Sequence, residues 1–118
     1  MSVAGLLPSA TVQKMFAKGY DFSYNVASGV DKAINLTEIG LWIISIRFYG
    51  NNVEHMSSYL FSQAGVYAKK LTKLSEYNYN SNSSVLVSES NDGNAGFVIK
   101  ATYSNLSGNI FVTAKRLV

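Results

Sequence analysis

The chain has no cysteine, so neither disulfides nor thiolate metal sites are open to it, and cysteine usage assigns no redox compartment. It has one histidine, His55, and therefore no spare base for a Ser–His triad. Charge is scarce: 14% of residues against roughly 25% in ordinary soluble domains. No apolar run reaches the ~18 residues that would cross a bilayer as a helix. No Gly-rich phosphate loop, zinc-ligand spacing or EF-hand pattern occurs. Seven carboxylates are present, but a glycosidase needs two of them facing each other at ~5–9.5 Å across a cleft. A small domain with no long loops could hardly build that cleft. The expectation is a protein that is not an enzyme and uses no cofactor and no metal. A lone loop histidine is usually exposed and idle, although three copies of His55 meeting on a threefold axis could hold an ion.

The opening residues, Met1-Ser-Val-Ala-Gly-Leu-Leu-Pro8, have no basic n-region and too short an apolar stretch for a signal peptide. A soluble protein made in a cytoplasm, with no membrane insertion, is expected. The net charge of +3 comes from ten basic residues spread along the chain. Their single cluster, Lys69, Lys70 and Lys73, reads as a solvated strand. Phosphate binding needs several cations on one face, so nucleic acid is not an expected partner.

At 118 residues the chain is the size of one domain, and 47% hydrophobic residues allow a full core. The stretch Gly40-Leu-Trp-Ile-Ile-Ser-Ile-Arg-Phe-Tyr-Gly50 dominates it. Its β-branched and aromatic residues, closed by glycine at each end, have the composition of a strand. At period two, Trp42, Ile44, Ile46 and Phe48 make one wholly apolar face. Leu41, Ile43, Ser45, Arg47 and Tyr49 make the other, apolar at its start and polar towards its end. The expectation is a strand covered on both sides, with the second face partly against another copy of the chain. Trp42 is expected in the core. Arg47 either pairs with a carboxylate at a subunit contact or snorkels at the sheet edge.

Residues 1–19 read as a linker and a short helix at 9–18, with Ser9 as cap and Val12, Met15 and Phe16 at helical spacing. Residues 20–118 read as one β domain. Strands are expected at 20–26, 33–37, 40–50, 56–62, 66–74, 83–88, 96–103 and 110–117, with the 66–76 stretch also readable as a helix. Asn51–His55 and 75–82 are expected to be loops, 63–65 a hairpin turn, and Asp92-Gly93 a hairpin dipeptide. Seven or eight short strands with regular turn signals predict an all-β, antiparallel β-sandwich of jelly-roll type.

If each strand reverses the one before, the loops at 27–33, 50–55, 75–82 and 104–109 share one end. Amides beside tyrosine rings suit a neutral glycan: the ring face stacks on sugar C–H groups, and the amides form the specifying hydrogen bonds. The candidate ligand-binding residues are Asn51, Asn52, Tyr77, Asn78, Tyr79, Asn80 and Asn105. Asn and Ser are also simply good turn residues.

Three stretches carry a resemblance: Gly40-Leu-Trp-Ile-Ile-Ser-Ile-Arg-Phe, Ala101-Thr-Tyr-Ser-Asn-Leu-Ser-Gly-Asn-Ile-Phe-Val, and the terminal Thr113-Ala-Lys-Arg-Leu117. Through them, residues 20–118 resemble the C-terminal receptor-binding tips of bacteriophage tail fibres and tailspikes. The resemblance implies a homotrimeric virion protein at a tail-fibre tip, assembled in the host cytoplasm, that binds bacterial surface polysaccharide or another receptor. It also admits a purely structural virion part, for trimerisation or capping, with no ligand of its own. No β-helical repeat is present, so depolymerase activity is not implied.

Overall fold

The structure is a computed structural model that describes residues 19–50, 53–79, 84–102 and 108–118. The linker and helix expected over 1–18 lie outside these residues. Eight strands are described: β1 (Gly19–Val26), β2 (Asp31–Ile34), β3 (Gly40–Gly50), β4 (Val53–Gly65), β5 (Ala68–Asn78), β6 (Ser84–Glu89), β7 (Phe97–Thr102) and β8 (Gly108–Arg116). They form two antiparallel sheets, one ordered β1-β8-β3-β4-β5 and the other β2-β7-β6. Among the described residues there is no helix. The strand reading of the lysine-bearing stretch after Gly65 therefore holds over the helical one.

β3 lies at the centre of the larger sheet, paired with β8 on one side and β4 on the other. Its apolar face does what the alternation requires. Trp42, Ile44, Ile46 and Phe48 are completely buried, together with Phe61 from β4 and Ile110, Val112 and Ala114 from β8. The smaller sheet contributes Ile34, Val85, Phe97, Ile99 and Ala101 to the same core. Phe61 meets Phe97 edge-on at 5.6 Å between ring centroids, which joins the two sheets at their middle. Each such large side chain contributes roughly 1.5–3 kcal/mol by leaving water.

The second face of β3 is only partly covered within one chain. Leu41 and Ile43 are half-buried within a single chain, and Arg47 and Tyr49 are exposed. Neighbouring side chains on β4 and β8 shield the first two only in part.

Strand boundaries shift in four places. β4 begins at Val53, so His55 belongs to a strand and not to a loop. The hairpin turn falls at Val66 and Tyr67, between β4 and β5, rather than at 63–65. β5 runs on to Asn78, which takes Ser75, Glu76, Tyr77 and Asn78 out of the expected loop. The strand expected at 33–37 is displaced to Asp31–Ile34. Polar composition suggested loops in both long stretches, but a sheet with one face in solvent tolerates alternating polar residues.

Polar ties hold the sheets together at one edge. Gln63, buried on β4, donates from Nε2 to the carbonyls of Leu36 at 2.7 Å and Glu38 at 3.1 Å. Its Oε1 accepts from the backbone N–H of Gly96 at 2.8 Å. Lys69 donates from Nζ to the carbonyls of Val66 (2.6 Å), Asn91 (3.1 Å) and Asn94 (2.6 Å). It clamps two turns and is not the freely solvated cation that the lysine cluster suggested.

Candidate functional site

The strand ends that flank the expected loops do meet. In the larger sheet Val26 faces Gly108, which faces Gly50, which faces Val53. The N–H of Tyr79 donates to the carbonyl of Glu54 at 2.8 Å, which brings the end of β5 into the same row. In the smaller sheet Ser84 faces Thr102. Asn51, Asn52, Asn80 and Asn105 lie outside the described residues.

Side chains on alternate residues of adjacent strands line up in rows across the outer face of the larger sheet. The row nearest the loop end runs Asn25, Asn109, Tyr49, Glu54. The next runs Ser23, Phe111, Arg47, Met56, Tyr77. All these residues are exposed, and the apolar ones unusually so: Tyr77 is 67% exposed, Met56 56%, Tyr49 49% and Phe111 40%. Tyr79, 66% exposed, adds a fourth ring at the corner. Contiguous exposed apolar surface with a polar rim marks a contact site.

Arg47 fixes the middle of this surface. Its guanidinium lies 5.0 Å from the centroid of the Tyr49 ring and 5.8 Å from that of Phe111. Because β3 is central in its sheet, Arg47 is not a side chain snorkelling at the sheet edge. The charge is held by two aromatic faces and keeps both rings in place. The outcome is a flat surface of three tyrosines, one phenylalanine and a stacked arginine, with the amides of Asn25 and Asn109 at its margin.

Of the residues expected from sequence, Tyr77 and Tyr79 belong to this surface and Asn78 does not. As the intervening residue of an alternating strand, Asn78 turns to the other face. There its Oδ1 accepts a hydrogen bond from Nδ1 of His55. The Ser57 hydroxyl closes the arrangement, 2.8 Å from Nε2 of the same ring. His55 is 2% exposed and both ring nitrogens are engaged inside the chain, so it is not the exposed loop histidine expected, nor free to meet copies of itself around an ion. Among the described residues no three His, Cys, Asp or Glu side chains converge as a metal site.

Tyr49, Arg47, Met56, Phe111 and Asn25 were not expected as site residues. The signal for the first two was present in the polar end of the second β3 face. What was missing was the register that sets Phe111 and Met56 beside them.

A separate feature lies at the opposite edge of the larger sheet. A cleft of about 450 Å³ separates Phe22 and Tyr24 on β1 from Lys32 and Ile34 on β2. The Lys32 ammonium sits 5.2 Å from the Tyr24 ring centroid. The Tyr24 hydroxyl is buried without a hydrogen-bond partner among the described residues, and burial pushes its pKa up to about 12.

Comparison with family models, with curated proteins and with solved structures finds no match to this chain. Among the described residues no helix is long and apolar enough to cross a membrane.

Proposed function

We propose that the chain is a non-catalytic recognition module, a two-sheet β-sandwich of jelly-roll type, that binds an uncharged surface glycan through the Tyr49, Tyr77, Tyr79 and Phe111 face. The observation that carries this reading is the concentration of exposed rings in two adjacent rows of a rigid sheet, with asparagine amides beside them. Rings fixed on a sheet lose little conformational freedom on binding. A flat aromatic surface matches the C–H face of a pyranose, and Asn25 and Asn109 can supply hydrogen bonds to its hydroxyls. The resemblance to tail-fibre tips gives the setting: a virion attachment protein that contacts bacterial surface polysaccharide. The strand ends at Gly50, Val53, Asn78 and Gly108 border the same end of this face. A structural virion domain for trimerisation or capping, with no ligand of its own, is the competing reading, in which another protein surface covers these rings.

An array of bacterial surface glycans, probed with the full chain and with a Tyr77→Ala, Tyr79→Ala double variant, tests this. Each stacked ring is worth about 1 kcal/mol, so the double variant should bind its best glycan at least tenfold more weakly while melting like the parent. Unchanged glycan binding by the folded double variant would remove these rings from the site. Binding to no glycan at all would favour the structural reading.

A further inference from the structure

We propose that β1 is a self-association edge, along which two copies of the chain pair antiparallel about a twofold axis to make one continuous sheet. The four strand edges of the two sheets are not equivalent. An edge strand exposes a row of unpaired N–H and C=O groups, and proteins blunt such edges with lysine, bulges, short length or side-chain caps. β5 has all but short length. Lys69, Lys70 and Lys73 lie along it, its register against β4 shifts between Ser58 and Tyr59, and its Leu71 N–H is capped by Glu89 Oε2 at 2.6 Å. β2 is only four residues long and carries Asp31 and Lys32. β6 is turned towards β5 through that same Glu89 contact.

Among the described residues β1 has none of these devices. It pairs with β8 through eight consecutive residues without a register shift, from Gly19 opposite Lys115 to Val26 opposite Gly108. It has no lysine and no proline, and Asp21 is its single charge. Among the described residues it has one strand neighbour. Phe22 and Tyr24 on its inner side are only half-buried, above the cleft that faces β2. Such a strand is a template for another strand.

The sequence of β1 is also self-complementary. In antiparallel pairing, residues directly opposite each other share a face. A twofold axis at Phe22 sets Phe22 against its own copy, the kind of aromatic pair that stabilises cross-strand contacts, and Tyr24 against Tyr20 of the copy, whose ring also stacks on Trp42 of its own chain at 5.9 Å. On the outer face Asp21 meets Ser23, so no like charges oppose. The occupant this edge fits is therefore a second copy of the chain. The pairing is twofold, in place of the threefold association expected from the sequence.

The absence of native cysteine makes a direct test available. Opposite residues at the axis stand ~4.5–5.5 Å apart between Cα atoms, within disulfide range. Phe22→Cys in the full chain should give a covalent dimer on mild oxidation. Ser23→Cys, whose opposite residue is Asp21, and Ser75→Cys on the β5 edge should form it about tenfold more slowly. Light scattering of the unmodified chain should approach a mass of two chains, 2 × 12.9 kDa, as concentration rises. Ser23→Lys, a surface change on the same strand, should raise the dimer dissociation constant about tenfold by placing a lysine on the edge. Equal cross-linking at all three cysteines would overturn the proposal. So would a mass of one chain at every concentration, or a mass of three chains.

Discussion

Gln63 and Tyr24 show opposite ways of burying a polar side chain. Gln63 satisfies three backbone groups between the sheets, and its own amide is fully used. Truncation would leave the Gly96 N–H and the Leu36 and Glu38 carbonyls without that partner, and each buried unsatisfied group costs about 1–3 kcal/mol. Gln63→Ala should lower the unfolding free energy by about 3 kcal/mol in a denaturant titration. A loss under about 1 kcal/mol would mean that water replaces the amide. Tyr24 has a buried hydroxyl with no partner among the described residues. Tyr24→Phe should therefore be neutral or stabilising near pH 7. Its effect on alkaline stability has a definite sign. A tyrosine whose pKa is 10.0 unfolded and about 12 folded keeps its full contribution below pH 10, and loses it as pH rises towards and through 12. The parent should thus lose more stability than Tyr24→Phe between pH 10 and 12, read as melting temperature against pH. Parallel curves would contradict the assignment.

At the scale of elements, the turn between β6 and β7 has two glycines at positive φ, Gly93 and Gly96, and the second is the more tightly enclosed. Gly96 has φ +86°, and a Cβ there would stand 2.0 Å from the Ile34 carbonyl oxygen. Backbone cannot give way as a flexible side chain would, so Gly96→Ala should cost about 3 kcal/mol or more and loosen β2 from β7. Hydrogen exchange at Ala33 and Ile34 would read that loosening, and unchanged exchange would contradict it. The strands themselves were largely legible. β3 ran from Gly40 to Gly50 as its composition and period required, and Trp42 took its expected core position. β5 was legible as a strand but not in length, because Ser75, Glu76 and Asn78 have loop-like polarity and only pairing with β4 shows that they continue the ladder. His55 was misplaced for the same reason. The sequence shows neither Ser57 nor Asn78 as its partner, since the first needs the true start of β4 and the second needs register across a hairpin. Tyr77 and Tyr79, named from the sequence for their place in a polar stretch, fall on this exposed face. Phe111 and Met56 were not named, because what makes them surface partners of Arg47 is their row in a sheet of five strands whose order is not the chain order.

At the scale of the whole chain, the two faces of the larger sheet have different tasks. One is packed against the smaller sheet through a core in which Trp42 is fully buried. The other offers solvent a row of rings around Arg47, which is a poor use of tyrosine and phenylalanine unless something comes to cover them. Charge on this surface is low, so binding there should weaken little with added salt, unlike an interface built on ion pairs. The most direct test is backbone amide chemical-shift mapping of the labelled chain, titrated with the neutral oligosaccharide that scores highest on the array. Shifts should concentrate at Arg47, Tyr49, Met56, Tyr77, Tyr79 and Phe111 and leave β2, β6 and β7 still. Shifts confined to the smaller sheet, or to the cleft between Tyr24 and Lys32, would contradict a recognition face built on these tyrosines.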